Sequence, residues 1–281
     1  MRIGTCSWKY KSWQGLVYPE FGEFNYLEEY SKRYNTVEVD RWFWSLHNAK
    51  AHLPKPSVVQ EYNELTPDNF RFTIKVPNSL TLTNAYKSST ANQYFLSPDL
   101  MHAFLYSINP LLKKVGLLMF QFEYLNKQKM NSLTEFIDKF SQFISLIDNP
   151  VPIGIEIRNP NYLTKEYFSF LKENNISHVF LQGYYMPKIT DVFKKFEDLF
   201  TDKSVIRLHG YDRKGIEKEA KKQWNKILRN KDNELSEIIR MIKLLNNKKT
   251  DIYINVNNHY EGSAPLTIDK INLELSKTRS E

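Results

Sequence analysis

Eight short apolar runs divide this sequence into strand-length segments, and each run carries polar or charged residues near its C-terminal end. Successive runs begin roughly 30 or more residues apart, which is the length of one strand–helix unit. The runs span residues 2–8, 36–40, 71–76, 116–122, 153–158, 178–182, 205–210 and 251–258. Strand–helix alternation indicates parallel strands, and eight units favour a closed (β/α)8 TIM barrel over an open doubly wound sheet.

Helical patterns fill the intervals between these runs. Ser132 and Glu135 form a capping box that opens an amphipathic helix, and we expect Thr164 and Asp232 to cap two more. Residues 84–112 mix polar and aromatic side chains, which indicates a long excursion between the third and fourth strands. The intervals therefore supply the helices that a barrel of this type needs around its strands.

Length and composition predict one domain over residues 1–281. A chain of 281 residues, 41% of them hydrophobic, suits a single α/β barrel, and no linker or repeat divides it. Cys6 is the one cysteine, so no intrachain disulfide forms. No signal-like start and no membrane-length apolar stretch occur, so we expect a cytoplasmic protein without a membrane partner. The GxGxxG and GxxxxGK[ST] fingerprints are absent too, and the sequence identifies neither a cofactor nor an oligomeric state.

The alternation within the strands predicts which side chains face the barrel interior, because successive residues of a strand point to opposite faces. The positions expected to face the helices are Val37, Val39, Ile155, Ile157, Ile206, Leu208, Ile254 and Val256. The positions expected to face inward are Glu38, Asp40, Glu156, Arg158, Arg207, His209, Asn255 and Asn257. Since the C-terminal strand ends hold the active site of such barrels, these polar side chains mark the candidate site.

Two interpretations of this polar cluster stay open. Buried polar groups are unfavourable unless they pair with each other or contact a ligand. A wholly structural network, with Glu38 paired to Arg207 and Glu156 paired to Arg158, would satisfy that requirement without any ligand. A ligand-binding pocket would satisfy it as well.

The order of the motifs resembles the DUF72 (YecE-like) family. The opening segment GTCSWKYKSWQGLVYP carries the family's glycine, threonine and serine, followed by Trp and Tyr and ending in Tyr-Pro. The similar segments are 4–19, 27–40, 67–77, 116–122, 155–162, 206–210 and 253–265. The resemblance covers nearly the whole chain and implies a TIM barrel, whereas the biochemical function of the family is not established.

The resemblance also extends to individual positions at the mouth. The residues that match the family pattern are Glu38, Lys75, Gln121, Glu156, Arg158, Arg207, His209, Asn257 and Asn258. Two positions depart from it. Asp40 is followed by residues 41–44 (Arg-Trp-Phe-Trp) where the family has Asn and a Phe-Tyr pair, and Thr81 is followed by Leu82 where the family often has histidine.

The residue types at the mouth predict acid–base chemistry on an anionic molecule. Glu38 and Glu156 are the candidate general acid and base, provided that one is protonated and the other ionised. His209 is a candidate for proton transfer. The expected substrate-binding residues are Trp8, Tyr10, Asp40, Lys75, Gln121, Arg158, Arg207, Asn257 and Asn258. An enzyme is one interpretation of this set: a hydrolase or lyase acting on a small sugar- or phosphate-bearing anion, which the cationic side chains would neutralise.

A divalent metal site is a less favoured interpretation. The acceptable ligand types at the mouth are Glu38, Asp40, Glu156, His209 and His259. No HExxH motif, cysteine pair or histidine-rich cluster occurs, and the neighbouring arginines and lysine would compete with a cation. We therefore assign no metal ligand.

The alternative function class is nucleic-acid binding, with metal-assisted nuclease-like activity. Residues 213–249 contain twelve Lys or Arg against five Asp or Glu, a surplus of seven equal to the net charge of the whole chain. Basic side chains contact phosphates, and exposed aromatic rings stack on unpaired bases. The aromatic candidates are Trp8, Tyr10, Trp13, Trp42 and Trp44. A solvated helix face explains the same charge, so a nucleic-acid partner is a prediction that salt-dependent binding would test.

Overall fold

The computed structural model, which describes residues 1–47, 50–85 and 90–277, contains a closed barrel of eight parallel strands. The barrel strands are β1 (Arg2–Cys6), β2 (Thr36–Val39), β3 (Arg71–Lys75), β4 (Val115–Gln121), β5 (Ile153–Glu156), β6 (Ser177–Gly183), β7 (Lys203–Gly210) and β8 (Asp251–Val256). Each strand pairs with its neighbours in sequence, and β8 pairs with β1 to close the ring. The predicted (β/α)8 TIM barrel is confirmed.

Helices connect successive strands. They are α1 (Tyr26–Arg33), α2 (Pro56–Glu64), α3 (Pro98–Ser107), α4 (Leu133–Ser145), α5 (Lys165–Glu173), α6 (Ile189–Lys195), α7 (Arg213–Ala220), α8 (Asp232–Asn247) and α9 (Ala264–Lys277). Short 3-10 helices span Lys11–Trp13, Asn78–Leu80, Asn109–Lys114, Pro160–Tyr162 and Glu197–Leu199. Two-residue strands, Leu46–His47 and Lys50–Ala51, pair in the excursion after β2. None of the described helices combines the length and the apolar character that a membrane span requires.

The helix starts agree with the sequence pattern in two of three cases. Ser132 accepts a hydrogen bond from the amide of Glu135, and Thr164 caps α5 in the same way. Asp232 is not a cap, because it is the first residue of α8 and its carboxylate instead accepts from Lys270. The cap position of α8 belongs to Lys231, which has no capping side-chain oxygen.

The strand ends lie earlier than the sequence pattern indicated. Six of the eight predicted runs extend one or two residues past the last hydrogen-bonded strand residue. In the first run, Ser7 adopts a left-handed φ of 67°, which ends β1 at Cys6. The polar residues at the ends of these runs therefore lie in the loops at the mouth, where their side chains are not restricted to the two faces of a strand.

Two apolar layers hold the barrel together, one outside the sheet and one inside. The helix-facing positions predicted from alternation are all buried in the main core, among them Val37, Ile206 and Ile254. A separate cluster fills the lower interior: Leu117, Met119, Val179, Val205 and Tyr253. Because this cluster plugs the barrel, the polar layer above it can be approached only from the C-terminal mouth.

Candidate functional site

The polar layer of the barrel interior is built from neighbouring strands whose side chains lie at matching heights. Cys6 of β1 is level with Glu38 of β2, and Arg207 of β7 is level with Asn255 of β8. The alternation of each strand turns these four side chains inward, since the intervening residues pack against helices. The parallel register thus places charged and polar groups from several strands in one ring.

Arg207 occupies the centre of this ring. Its Nε and Nη2 donate to the two carboxylate oxygens of Glu38 at 2.6 and 2.7 Å, and its Nη1 donates to Glu156. Gln121 Oε1 accepts a further bond at 3.4 Å. Arg207, Glu38 and Glu156 are 0% exposed, so one guanidinium bridges two carboxylates out of reach of solvent. A bidentate pair of this kind is strongly oriented as well as charged.

Two further cations extend the network at its ends. The Lys75 ammonium lies 3.6 Å from a carboxylate oxygen of Glu38, and Arg158 Nε donates to Glu156 at 3.0 Å. The charges alternate along the chain of contacts in the order Lys75, Glu38, Arg207, Glu156, Arg158. The side chains of Lys75 and Arg158 are 10% and 29% exposed, so the ends of this five-charge chain reach the mouth.

The two end cations have unused donors. Within the part of the chain that the structure describes, the Lys75 ammonium donates no hydrogen bond, and Arg158 donates one, from Nε alone. A lysine ammonium carries three N–H donors and an arginine guanidinium five. The mouth therefore offers several charged donors for which the described protein groups provide no acceptor.

The carboxylates of the five-charge chain are ionised at neutral pH. Burial, the largest single effect, raises the pKa of both, but the charges of Arg207 and Lys75 and the hydrogen bonds from Arg207 together outweigh it, so the pKa of Glu38 lies below its ordinary value. The same balance, helped by Arg158, lowers the pKa of Glu156 to about 2. The acid–base pair expected from the sequence requires one protonated carboxyl, whereas here both pKa values are lowered and both carboxylates pair with cations.

The pKa values of Asp40 and Lys75 are instead shifted toward neutral pH. Burial raises the pKa of Asp40, and the negative charge of Glu38 adds to that effect, whereas Lys75 opposes it. Burial lowers the pKa of Lys75, and the positive charge of Arg207 lowers it further. Groups whose pKa values burial and neighbouring charges shift toward neutral pH are candidates for proton transfer.

His209 is held as a neutral imidazole. Its Nε2 lies 3.6 Å from the Cys6 sulfur, and its Nδ1 lies 3.3 Å from the Tyr184 hydroxyl. Burial, reinforced by Arg207, keeps the pKa of His209 well below its ordinary 6.5. Burial also raises the pKa of the Cys6 thiol, with Glu38 adding to it, so Cys6 stays protonated. As a neutral imidazole, His209 can accept a proton from a ligand or donate its one N–H as a hydrogen bond.

The same corner of the barrel contains three potential metal ligands. The Cys6 sulfur, a Glu38 oxygen and a His209 nitrogen lie within 4.8 Å of one another. Both oxygens of Glu38 already accept from Arg207, whose fixed positive charge opposes a second cation. His259, another ligand type noted in the sequence, lies elsewhere and pairs with Glu217. The electrostatics thus disfavour a metal ion while Arg207 is in place.

The aromatic residues expected at the mouth are divided between core and site. Trp8 is buried, and its ring packs edge-on against Tyr62 of α2 at 5.1 Å. Tyr10 is partly buried, and its hydroxyl donates to the Cys6 carbonyl at 3.4 Å. Burial raises the pKa of Tyr10 well above its ordinary value, and Asp40 adds to that effect, so its hydroxyl stays protonated.

The asparagines expected to orient a substrate stabilise the loop after β8. The side chain of Asn257 accepts from the amide of His259, and that of Asn258 accepts from the amide of Ala264, both at 2.9 Å. These bonds hold the start of α9 against the mouth. Asn258 also lies beside the Tyr10 hydroxyl, where it lowers the pKa that burial raises.

The features invoked for nucleic-acid binding are only partly exposed. Trp13 and Trp42 are buried, whereas Trp44 is 60% exposed. Two cations of the basic segment 213–249 pair with acidic residues outside it, Arg229 with Asp212 at 3.0 Å and Lys248 with Glu197 at 2.8 Å. Its charge surplus is therefore partly neutralised at the surface of the barrel.

Sequence reasoning missed three contributors to the site. Cys6 is the inward residue at the end of β1, as the alternation Gly4–Cys6 would have indicated. Tyr184 reaches His209 from the loop after β6, and Phe43 lies with its ring centroid 5.1 Å from the Lys75 ammonium. No local pattern marks these two loop residues.

Comparison with known proteins places this geometry in a family. Residues 2–281 match the family described as "Protein of unknown function DUF72". The UPF0759 protein YecE of Escherichia coli (strain K12) is 26% identical over 164 residues, which are 58% of this chain and 50% of that protein. The chain thus matches about half the length of this curated relative.

Solved structures share the fold. A DUF72 family protein from Thermotoga maritima superimposes with a TM-score of 0.67 at 19% identity, covering 98% of both chains. Another, from Enterococcus faecalis, gives 0.66 at 19% identity over 96% of this chain and 94% of that one. A D-tagatose 3-epimerase-like protein gives 0.55 at 12% identity over the full length of both. With the match over residues 2–281, this chain belongs to the DUF72 family.

Proposed function

We propose that the barrel mouth binds a small organic anion bearing a phosphate or carboxylate group and performs proton-transfer chemistry on it, as a hydrolase or lyase does. The observation that carries this proposal is the set of unused N–H donors on Lys75 and Arg158, the two cations at the ends of the five-charge chain. Each is held by a buried carboxylate, and within the described residues each has N–H donors that no protein group accepts. An anion placed between them would receive charge-assisted hydrogen bonds from both sides.

In this proposal the buried carboxylates are positioning residues. Glu38 and Glu156 hold Arg207, and Glu156 also orients Arg158, so both act through the cations they bind. Asp40 and Lys75 are the candidate base and acid because their pKa values are shifted toward neutrality. A neutral His209 would supply or accept a hydrogen bond at the same mouth.

The rim of the mouth supports a sugar-bearing substrate. Four exposed aromatic side chains follow the C-terminal ends of strands β2, β4, β6 and β7: Trp44, Tyr124, Tyr185 and Tyr211. They are 60%, 59%, 96% and 44% exposed. Aromatic faces with a polar edge pack against the C–H faces of sugars and leave their own polar atoms hydrated.

Calorimetric titration tests the anion site. We expect glycerol 3-phosphate or inorganic phosphate to bind the wild-type protein, and Arg158→Gln to weaken binding about 10- to 100-fold, the value of a lost charged hydrogen bond. Arg240→Gln is the matched control, because Arg240 is an exposed arginine on α8, on the outer wall. Equal affinity of the Arg158 variant and the wild-type protein would remove Arg158 from the site.

A second candidate function, nucleic-acid binding, is favoured by one specific observation. A cavity of about 650 Å³ beside Tyr10 is lined by Lys9, Lys11 and Lys222 and by no acidic residue. A phosphodiester backbone leaving the mouth would run over these lysines. Fluorescence anisotropy with a single-stranded oligonucleotide should then show affinity that falls steeply between about 50 and 200 mM salt and with Lys222→Gln. Binding insensitive to salt would exclude this candidate.

A further inference from the structure

Lys75 differs from the other buried lysine of the described chain. Lys114 is 6% exposed, and its ammonium donates to the carbonyls of Asn63 and Thr66 at 2.7 and 2.6 Å. Lys75 is 8% exposed, yet within the described residues its ammonium has one carboxylate oxygen at 3.6 Å and no hydrogen-bond acceptor. Lys114 is thus fixed by the fold, whereas Lys75 has a nitrogen available to a ligand.

The surroundings of Lys75 favour a nucleophilic amine. The nitrogen lies 5.1 Å from the centroid of the Phe43 ring and shares the Glu38 carboxylate with Arg207. Burial and the neighbouring guanidinium both lower the pKa of Lys75, which increases the fraction of neutral amine at neutral pH. Desolvation and a second cation are the two environments that activate lysine as a nucleophile.

We propose that Lys75 forms an imine with the aldehyde or ketone carbonyl of the anionic substrate. This inference rests on the proposed function for the anion, which Arg158 would bind while the carbonyl approaches the Lys75 nitrogen. It narrows the substrate class to small carbonyl compounds that also carry a phosphate or carboxylate group.

The chemistry balances without an oxidant or reductant. The nitrogen lone pair forms a bond to the carbonyl carbon, and the C=O π electrons move to oxygen, which takes up a proton. The nitrogen then loses a proton, for which Asp40 is the acceptor at the same mouth, since Asp40 and Lys75 interact electrostatically. The C–O bond breaks as the proton held by Asp40 converts the hydroxyl to water, and the nitrogen lone pair forms the C=N bond. The proton that the oxygen took up in the first step comes from solvent, so the product is the protonated imine. The ionised Glu38, 3.6 Å from the nitrogen, stabilises the protonated imine.

Borohydride trapping tests the inference on the full chain. The protein is incubated at pH 7 with dihydroxyacetone phosphate or pyruvate, reduced with sodium borohydride and analysed by intact mass and peptide mapping. We expect one adduct per chain, with the mass of the probe less one oxygen atom, on the peptide that contains Lys75. Lys75→Arg, which keeps the charge but not the nucleophile, should reduce the adduct at least tenfold, whereas the exposed Lys139→Arg should not change it.

Three results would overturn the inference. They are an equal adduct yield in Lys75→Arg, an adduct spread over surface lysines, and no adduct above that of the urea-unfolded chain. If Lys75→Arg does not fold, the peptide map of the wild-type protein shows which residue carries the adduct, and an adduct on any residue other than Lys75 overturns the inference. Glycerol 3-phosphate has no carbonyl and separates the two proposals: if it binds by calorimetry while neither probe is trapped, the anion site stands and the imine is wrong.

Discussion

Replacing Arg207 with Met removes the one cation that bridges two fully buried carboxylates. The structure sets the size of the effect. The pKa of Glu156 is about 2 against an ordinary 4.5, and at about 1.4 kcal/mol per pH unit this corresponds to about 3 kcal/mol of net stabilisation of its ionised form, to which Arg207 contributes most among Arg207, Arg158 and Lys75. Breaking a buried ion pair by removing one partner costs about 3 to 5 kcal/mol, which agrees with that figure. We expect Arg207→Met to lose about 3 to 5 kcal/mol of unfolding free energy at pH 7.

The pH dependence of the variant gives a second, independent readout. In the wild-type protein the folded pKa of Glu156 is depressed, so its contribution is present above pH 4.5 and is lost as the pH falls toward about 2. Without Arg207, burial and mutual repulsion raise the folded pKa values of Glu38 and Glu156 above their unfolded values. The sign therefore reverses for these two carboxyls: the unfolding free energy that Arg207→Met loses relative to the wild-type protein should become smaller as the pH falls from about 7 to 4.5.

Urea unfolding followed by circular dichroism at several pH values measures both effects. Arg213→Met is the matched control, since Arg213 forms an exposed pair with Glu217 and should change stability by less than about 1 kcal/mol. Arg207→Lys keeps the charge without the bidentate geometry and should fall between wild type and Arg207→Met. A loss below about 1 kcal/mol in Arg207→Met at pH 7, or a difference from wild type that does not shrink as the pH falls toward 4.5, would refute the reasoning.

Three further outcomes follow from the described contacts. Gly183→Ala should lose more than about 2 kcal/mol in urea unfolding, because its φ is +141° and the added carbon would meet a backbone oxygen at 2.3 Å, whereas Gly15→Ala, with open space around it, should lose only about 1 kcal/mol. Cys6 should resist iodoacetamide in the folded protein, since burial raises its thiol pKa, and rapid labelling without unfolding would contradict that. The pKa of His178 is about 3 and that of His209 is well below 6.5, so both imidazoles stay neutral in the folded protein. The unfolding free energy should therefore fall as the pH drops from 6.5 to about 5, by about 1.4 kcal/mol per pH unit for each histidine. His178→Phe should reduce this slope, and an unchanged slope would show that His178 does not contribute.

Much of the barrel and its inward ring follow from local alternation. A period of two assigns Glu38, Glu156 and Arg207 to the interior independently of the loop conformations. The two pairs considered as a structural alternative, Glu38 with Arg207 and Glu156 with Arg158, are both present. The bond from Arg207 to Glu156 joins β7 to β5 across the barrel interior. It depends on how the closed barrel is staggered, which no single segment of sequence encodes.

Loop residues account for most of what the pattern could not predict. Tyr184 reaches His209 because it adopts a left-handed φ of 54° directly after Gly183, which approaches the backbone of Gly210 too closely for any side chain. Trp42 appeared as a rim residue but stacks on Tyr62 of α2, because the chain after β2 folds back over that helix. Such placements arise from tertiary contacts, which propensity and period do not contain.

A crystal structure of the protein soaked with glycerol 3-phosphate tests the anion site most directly. We expect the phosphate within about 3.2 Å of both the Lys75 ammonium and the Arg158 guanidinium, with Glu38 and Glu156 still bonded to Arg207. A phosphate seated instead on the basic segment 213–249, with the mouth holding only water, would contradict it.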